Sequence, residues 1–154
     1  MSLHVSEEWL EGYRKRQAKG ESPEAALNGL LEDEEQMLLI QWADWNLGKW
    51  PELALLFHIP NGGRRSAAEA GRFRAMGVKK GVPDLFLPSP RGGFHGLFIE
   101  MKRRVGGTMS QEQKDWRDDL NARGYRALRC DGWEQAREAL VEYMEMEYQG
   151  EGGN

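Results

Sequence analysis

Two short apolar runs, Asp84 to Leu87 and Leu97 to Lys102, flank the stretch Pro88-Ser89-Pro90-Arg91-Gly92-Gly93, and no other feature restricts the fold as tightly. Proline and glycine at that density reverse the chain, so the two runs are expected to pair as an antiparallel hairpin. Side chains on a strand alternate between faces. Leu97, Ile99 and Met101 therefore point one way, while Glu100 and Lys102 share the other. One face of the hairpin must be covered by something apolar.

The patterns on either side supply the cover. Glu32 to Leu47 reads as a helix of good helix formers, with Leu38, Trp42 and Trp45 repeating at helical spacing. Leu53 to Ile59 reads as a buried strand, and Asn61-Gly62-Gly63 as a turn. Ser66 can cap a helix that reaches Gly77. After the hairpin, Ser110 with Glu112 and Gln113 opens a helix ending at Gly124, and Tyr125 to Cys130 is a further strand. A last helix runs from Asp131-Gly132-Trp133-Glu134 to about Tyr148. Helix, strand, helix, two strands, helix, strand, helix is an α/β order, and it predicts a mixed sheet of about four strands flanked by helices. Before this core, Ser6 and Ser22-Pro23 are helix-start signals, so residues 1–31 read as an N-terminal helical appendage. The core is expected over 32–148, with a flexible glycine-rich tail at 149–154.

At 154 residues the chain fits one compact domain and its appendage. Its longest apolar runs fall far short of the roughly 20 residues that cross a bilayer, and the first residues carry Glu7, Glu8 and Glu11 where a signal peptide would be apolar. With Cys130 as its single cysteine, the chain can form no internal disulfide, and a reducing, cytoplasmic location is expected with no membrane partner. The net charge of −4 conceals an asymmetry. Between His58 and Arg104 lie ten Lys or Arg residues against three acids, a local excess of seven, and the remainder carries −11. A basic middle in an acidic molecule suits a single face that meets phosphates, and it also describes an unevenly charged solvated surface.

Asp84 follows Pro83 at the start of its strand, so the hairpin can bring it beside Glu100, with Lys102 next to them. Two carboxylates beside a lysine suit magnesium-assisted phosphodiester hydrolysis. Magnesium takes oxygen ligands, bridges to the scissile phosphate and acidifies the attacking water. Lys102 would orient that water or offset charge on the phosphate, and the Met101 carbonyl could add an oxygen ligand. The same letters also describe a solvated charge pair on a strand.

Taken together, Pro60-Asn61-Gly62-Gly63, Met76-Gly77-Val78-Lys79-Lys80-Gly81-Val82-Pro83-Asp84-Leu85, Leu97-Phe98-Ile99-Glu100-Met101-Lys102 and Ser110 to Gln113 resemble the VRR-NUC family. That family is a branch of the PD-(D/E)XK nucleases whose members include stand-alone phage proteins and a domain of a DNA-repair nuclease. The resemblance covers roughly Glu32 to Tyr143. It implies a restriction-endonuclease-like core in which Asp84 and Glu100 bind the metal, Lys102 is the catalytic lysine and Gln113 lines the site. It also implies an acid on the first core helix. Glu32, paired with Gln36, is the residue aligned, and a register shift would select Glu35 instead. Ser110 and Gln113 equally form a capping box that would start a helix in any protein.

The function so implied is a DNA endonuclease dependent on magnesium, with manganese able to substitute. As in the stand-alone members, a homodimer cutting branched DNA such as four-way junctions is expected, in the host cytoplasm if the chain is phage-encoded. Asn61, Gly62 and Gly63 could hold the backbone against a phosphate, and Arg64, Arg65, Lys79 and Lys80 are further phosphate contacts. Two other classes stay open: a non-catalytic nucleic-acid-binding module on the same fold, and an assembly protein whose acid pair is structural. Only an enzyme or a binding module predicts salt-dependent affinity for DNA.

Overall fold

The structure, a computed structural model, describes residues 22–61 and 65–151 together with 11, 12, 14, 15 and 20. The helix expected after Ser6 falls mostly outside these residues, as do Gly62, Gly63, Arg64 and the end of the tail. Helix α1 (Pro23–Asn28) starts where Ser22-Pro23 predicts, with the Ser22 hydroxyl accepting from the Ala25 N–H at 3.2 Å. Ala26 and Leu30 are buried, so this short helix is fastened down rather than solvated.

Helix α2 (Glu32–Trp45) buries Glu35, Leu39 and Ala43, spaced four apart on one face. This corrects the face read from Leu38, Trp42 and Trp45. Trp45 is 58% exposed, and Trp42 sits at the margin against Trp50, with ring centroids 6.3 Å apart. The small Ala43 lets the backbone approach the sheet, and the bulkier rings are left to flank it. The expected strand from Leu53 to Ile59 is also corrected. Pro51 opens a 3-10 turn (Pro51–Leu55) that buries Leu53 alone, and only Phe57–His58 pairs as strand β1, exposed at the sheet edge.

Helix α3 (Ala67–Ala75) is capped by Ser66, whose hydroxyl accepts from the Glu69 N–H while the Glu69 carboxylate accepts from the Ser66 N–H. The hairpin follows as β2 (Leu85–Leu87) and β3 (Leu97–Lys102), antiparallel, with Leu85 opposite Ile99 and Leu87 opposite Leu97. Helix α4 (Gln111–Ala122), started by the Ser110–Gln113 capping box, crosses over to β4 (Arg126–Asp131), which runs parallel to β3. The sheet order is β1-β2-β3-β4, mixed and four-stranded.

Helix α5 (Trp133–Met144) packs with α2 on the face formed by Leu85, Leu87, Leu97, Ile99 and Met101, all fully buried together with Leu39, Ala136, Leu140 and Tyr143. Each leucine, isoleucine or methionine among them contributes roughly 2 kcal/mol of burial. Helix α5 stops at Met144 instead of running to Tyr148, because Arg91 of the hairpin turn donates to the carbonyls of Met144 and Met146 at 3.0 and 2.8 Å. Arg91 is itself paired with Glu52 at 2.8 Å. One glycine fixes how the chain leading into β2 meets α4. Gly81 has φ +88°, and a Cβ there would lie 2.6 Å from the Glu112 carbonyl carbon, so the chain leading into Asp84 lies directly on the start of α4.

Candidate active site

Antiparallel pairing of Leu85 with Ile99 sets Asp84 beside Glu100 at the same end of the hairpin. The Asp84 carboxylate accepts from the Met101 N–H at 2.8 Å, so its own partner strand holds it in place. The Asp84 carbonyl accepts from the Ile59 N–H at 2.7 Å and lies 2.8 Å from His58 Nδ1, which ties the end of β1 to the same point. Alternation along β3 places Glu100 and Lys102 together on the other side of the strand from Ile99 and Met101. They are buried, at 3% and 4% exposure, in contrast to a solvated pair.

Lys102 Nζ donates to Glu100 Oε1 at 2.7 Å and lies 3.4 Å from Glu32 Oε2 at the start of α2. Glu32, Asp84 and Glu100 each bring a carboxylate oxygen to within 4.8 Å of the other two. Glu100 Oε2 is buried and has no hydrogen-bond partner among the described residues. A buried carboxylate oxygen without a donor is costly unless a cation meets it.

Burial is the main force on these carboxyls. It lifts Glu100 to about 7, with the charge of Asp84 adding to the effect and Lys102 opposing it. Burial likewise raises Glu32 and Asp84 above the ordinary carboxylate range. Burial alone would lower Lys102, but the hydrogen bond and charge of Glu100, with Glu32 and Asp84 behind, hold it above its usual value. Three crowded carboxylates with one lysine leave surplus negative charge, and hard oxygen donors in this number fit a small divalent cation.

This crowding has a measurable consequence. Glu100 binds its proton more tightly folded, at about 7, than unfolded, near 4.5. The stability it contributes is full below the unfolded value and is lost as pH rises through 7. Lowering the pH from 8 to 6 in EDTA is therefore expected to add about 1 kcal/mol and a few degrees of Tm. Magnesium at pH 8 should recover that stability by binding the ionised site. Thermal melts at the two pH values, with and without magnesium, check both signs.

Gln113 has two tasks at once. Its Oε1 accepts from the Ser110 N–H at 2.9 Å, closing the helix cap, and its Nε2 donates to Glu100 Oε1 at 2.6 Å. Of the two acids weighed on the first core helix, Glu32 faces the carboxylate cluster. Glu35 is fully buried elsewhere, accepting from Arg104 Nε at 2.9 Å and from the Trp133 N–H at 2.8 Å. Arg104 also pairs with Glu134 at 2.7 Å. Sequence reasoning missed this clamp of β3, α2 and α5. Its one local signal is that Arg104 lies in phase with Glu100 and Lys102.

The expected phosphate contacts lie on the stretch between β1 and β2. Asn61 Nδ2 donates to the Val82 carbonyl at 3.4 Å, Arg65 lies 4.0 Å over the Phe73 ring, and Lys80 pairs with Glu112 at 2.9 Å. Lys79 is exposed, and Gly62, Gly63 and Arg64 lie outside the described residues. Among the described residues no helix is long and apolar enough to cross a membrane.

A sequence model of the VRR-NUC domain matches residues 30–134 of this chain. The fold is similar to a solved structure described as a VRR_NUC domain protein, with a TM-score of 0.67 and 31% identity, covering 76% of this chain and 90% of that one. No curated protein sequence matches.

Proposed function

The chain belongs to the VRR-NUC family of nucleases, and on that premise we propose that it is an endonuclease cutting DNA with magnesium, or manganese, at Glu32, Asp84 and Glu100. The observation that carries this reading is the convergence of three carboxylates within 4.8 Å beside a buried lysine. The ion would supply Lewis-acid charge at the phosphate and lower the pKa of the attacking water.

The chain's own groups prepare the place for it. Lys102 stays protonated, offsets negative charge developing on the phosphate and holds Glu100 in one rotamer. Gln113 fixes the same Glu100 oxygen from α4, and Oε2 is left without a donor among the described residues. The Met101 N–H holds Asp84. The N–H and C=O of one strand residue leave toward the same side, so the Met101 carbonyl can add a further oxygen ligand. In this reading the nuclease domain runs over 32–148, with residues 1–31 and 149–154 as additions to it. Asn61, Gly62, Gly63, Arg64, Arg65, Lys79 and Lys80 lie on the stretch that would approach the DNA backbone.

Branched DNA such as a four-way junction is the proposed substrate. A homodimer with two sites about a two-fold axis would match a junction's symmetry. A reducing cytoplasm would suit the lone Cys130, which is a buried free thiol. The test is incubation with labelled four-way junction, flap and linear duplex in magnesium, manganese or EDTA. Metal-dependent cutting, strongest on the junction, is the expected result. DNA binding without cutting in either metal would replace the enzyme with a binding module on the same fold.

A further inference from the structure

Helix α3 is nine residues long, and none of its residues is buried. A helix this short is marginal in water and normally depends on packing an apolar face. Here the Ser66–Glu69 capping box and a C-terminal turn through Gly77 (φ +97°) keep it wound, while Met76 beyond its end is 68% exposed. Both legs of the segment leave the sheet at the candidate site. Ile59 and His58 hold the Asp84 carbonyl, and Asn61 reaches across to Val82. The segment is an arm rooted on the backbone of Asp84, whose side chain belongs to the site.

Its charge is the opposite of the rest of the molecule. From Arg64 to Lys80 there are six Lys or Arg residues and one acid, in a chain of net charge −4. Elsewhere Arg91, Arg104, Arg117, Arg123, Arg126 and Arg129 are each paired with a carboxylate and Arg137 lies over the Trp133 ring, which leaves Arg103, next to the site, as the other exposed arginine without an ion pair among residues 65–151. Arg72, Arg74 and Lys79 are exposed and form no ion pair among the described residues. In an acidic protein, cations left unpaired on and just beyond a helix that has no fully buried residue are placed for an anionic partner.

We propose that residues 65–80 form a basic arm that grips the phosphate backbone of duplex DNA alongside the cut, with Arg72, Arg74 and Lys79 as its phosphate contacts. The position of the arm relative to the cut rests on the nuclease reading, whereas its affinity for DNA does not. Arg65 steadies the arm against Phe73, and Lys80 moors it to Glu112. Neither is then free to be a principal contact.

The test is a salt titration of binding to a labelled linear duplex in EDTA, where nothing is cut. Arg72→Gln/Arg74→Gln, which retains good helix formers, is compared with wild type and with Arg123→Gln just past the end of α4. Each phosphate contact contributes about 0.9 to the slope of log K against log salt, so the double variant should lose about 1.8 and bind about tenfold more weakly at low salt. Arg123→Gln should match wild type, and circular dichroism should be the same for all three. An unchanged slope and Kd in the double variant, beside a wild type that binds DNA, would overturn the arm and leave the nuclease reading standing. A wild type that shows no salt-dependent binding overturns both. A double variant that changes oligomeric state in sedimentation but not DNA affinity would make the arm a contact between copies and would also overturn the proposal.

Discussion

Replacing Lys102 by methionine is expected to slow DNA cleavage about a thousandfold while leaving the protein folded. Removing one preorganised charged donor from a water-poor site commonly costs about 10² to 10³ in turnover. Lys102 is 4% exposed and is held by Glu100 and Glu32, so it is such a donor. Methionine fills nearly the same volume, which limits packing loss. A second effect adds to the first. Without Lys102, Glu100 rises further above about 7 and is protonated at neutral pH, so one ligand oxygen is withdrawn. Raising the pH to 9 should therefore restore metal affinity in the variant without restoring the rate. Single-turnover cleavage and metal titrations across pH separate the two, and a variant rate within threefold of wild type would sink the role given to Lys102.

Glu35→Ala is expected to cost about 3–5 kcal/mol of stability, the usual penalty for breaking a buried ion pair from one side. Glu35 is fully buried and is the common acceptor for Arg104 and for the first N–H of α5. Its removal leaves the Trp133 N–H without an acceptor and Arg104 with Glu134 alone. The loss would also loosen α2, which carries Glu32 one turn earlier. Glu35→Gln keeps an acceptor for one donor and should lose clearly less. Urea unfolding with an unchanged m-value measures both differences, and a loss below about 1 kcal/mol for alanine would show that the clamp is not needed.

The parts of this fold that were legible in the sequence are those with local causes. Pro88 to Gly93 turned the chain as composition predicts, and strict alternation put Leu97, Ile99 and Met101 in the core with Glu100 and Lys102 opposite. Ser66 and Ser110 started helices where their capping boxes said they would. Family membership and the mixed four-stranded sheet followed from the same motifs.

What stayed hidden depends on residues far apart in the chain. Leu53 to Ile59 has the composition of a strand, but Pro51 and the inward Leu53 make its first three residues part of a 3-10 turn. The last helix ends early because Arg91, more than fifty residues before it, takes its terminal carbonyls. Ser110 to Gln113 carried two readings, cap and site, and in the structure the one Gln113 side chain both closes the cap and donates to Glu100. Glu32 and Glu35 share a composition, and the positions of Lys102 and Arg104 separate them, Lys102 meeting Glu32 and Arg104 meeting Glu35.

The central claim is that the carboxylate cluster cuts DNA with a divalent cation, and supercoiled plasmid exposed to wild type and to Asp84→Asn in magnesium tests it most directly. Asparagine keeps an oxygen for the Met101 N–H, so the fold is preserved and only the charge is lost. Wild type should nick and linearise the plasmid, EDTA should stop it, and Asp84→Asn should leave the plasmid supercoiled. An Asp84→Asn protein that cuts at the wild-type rate would contradict the account.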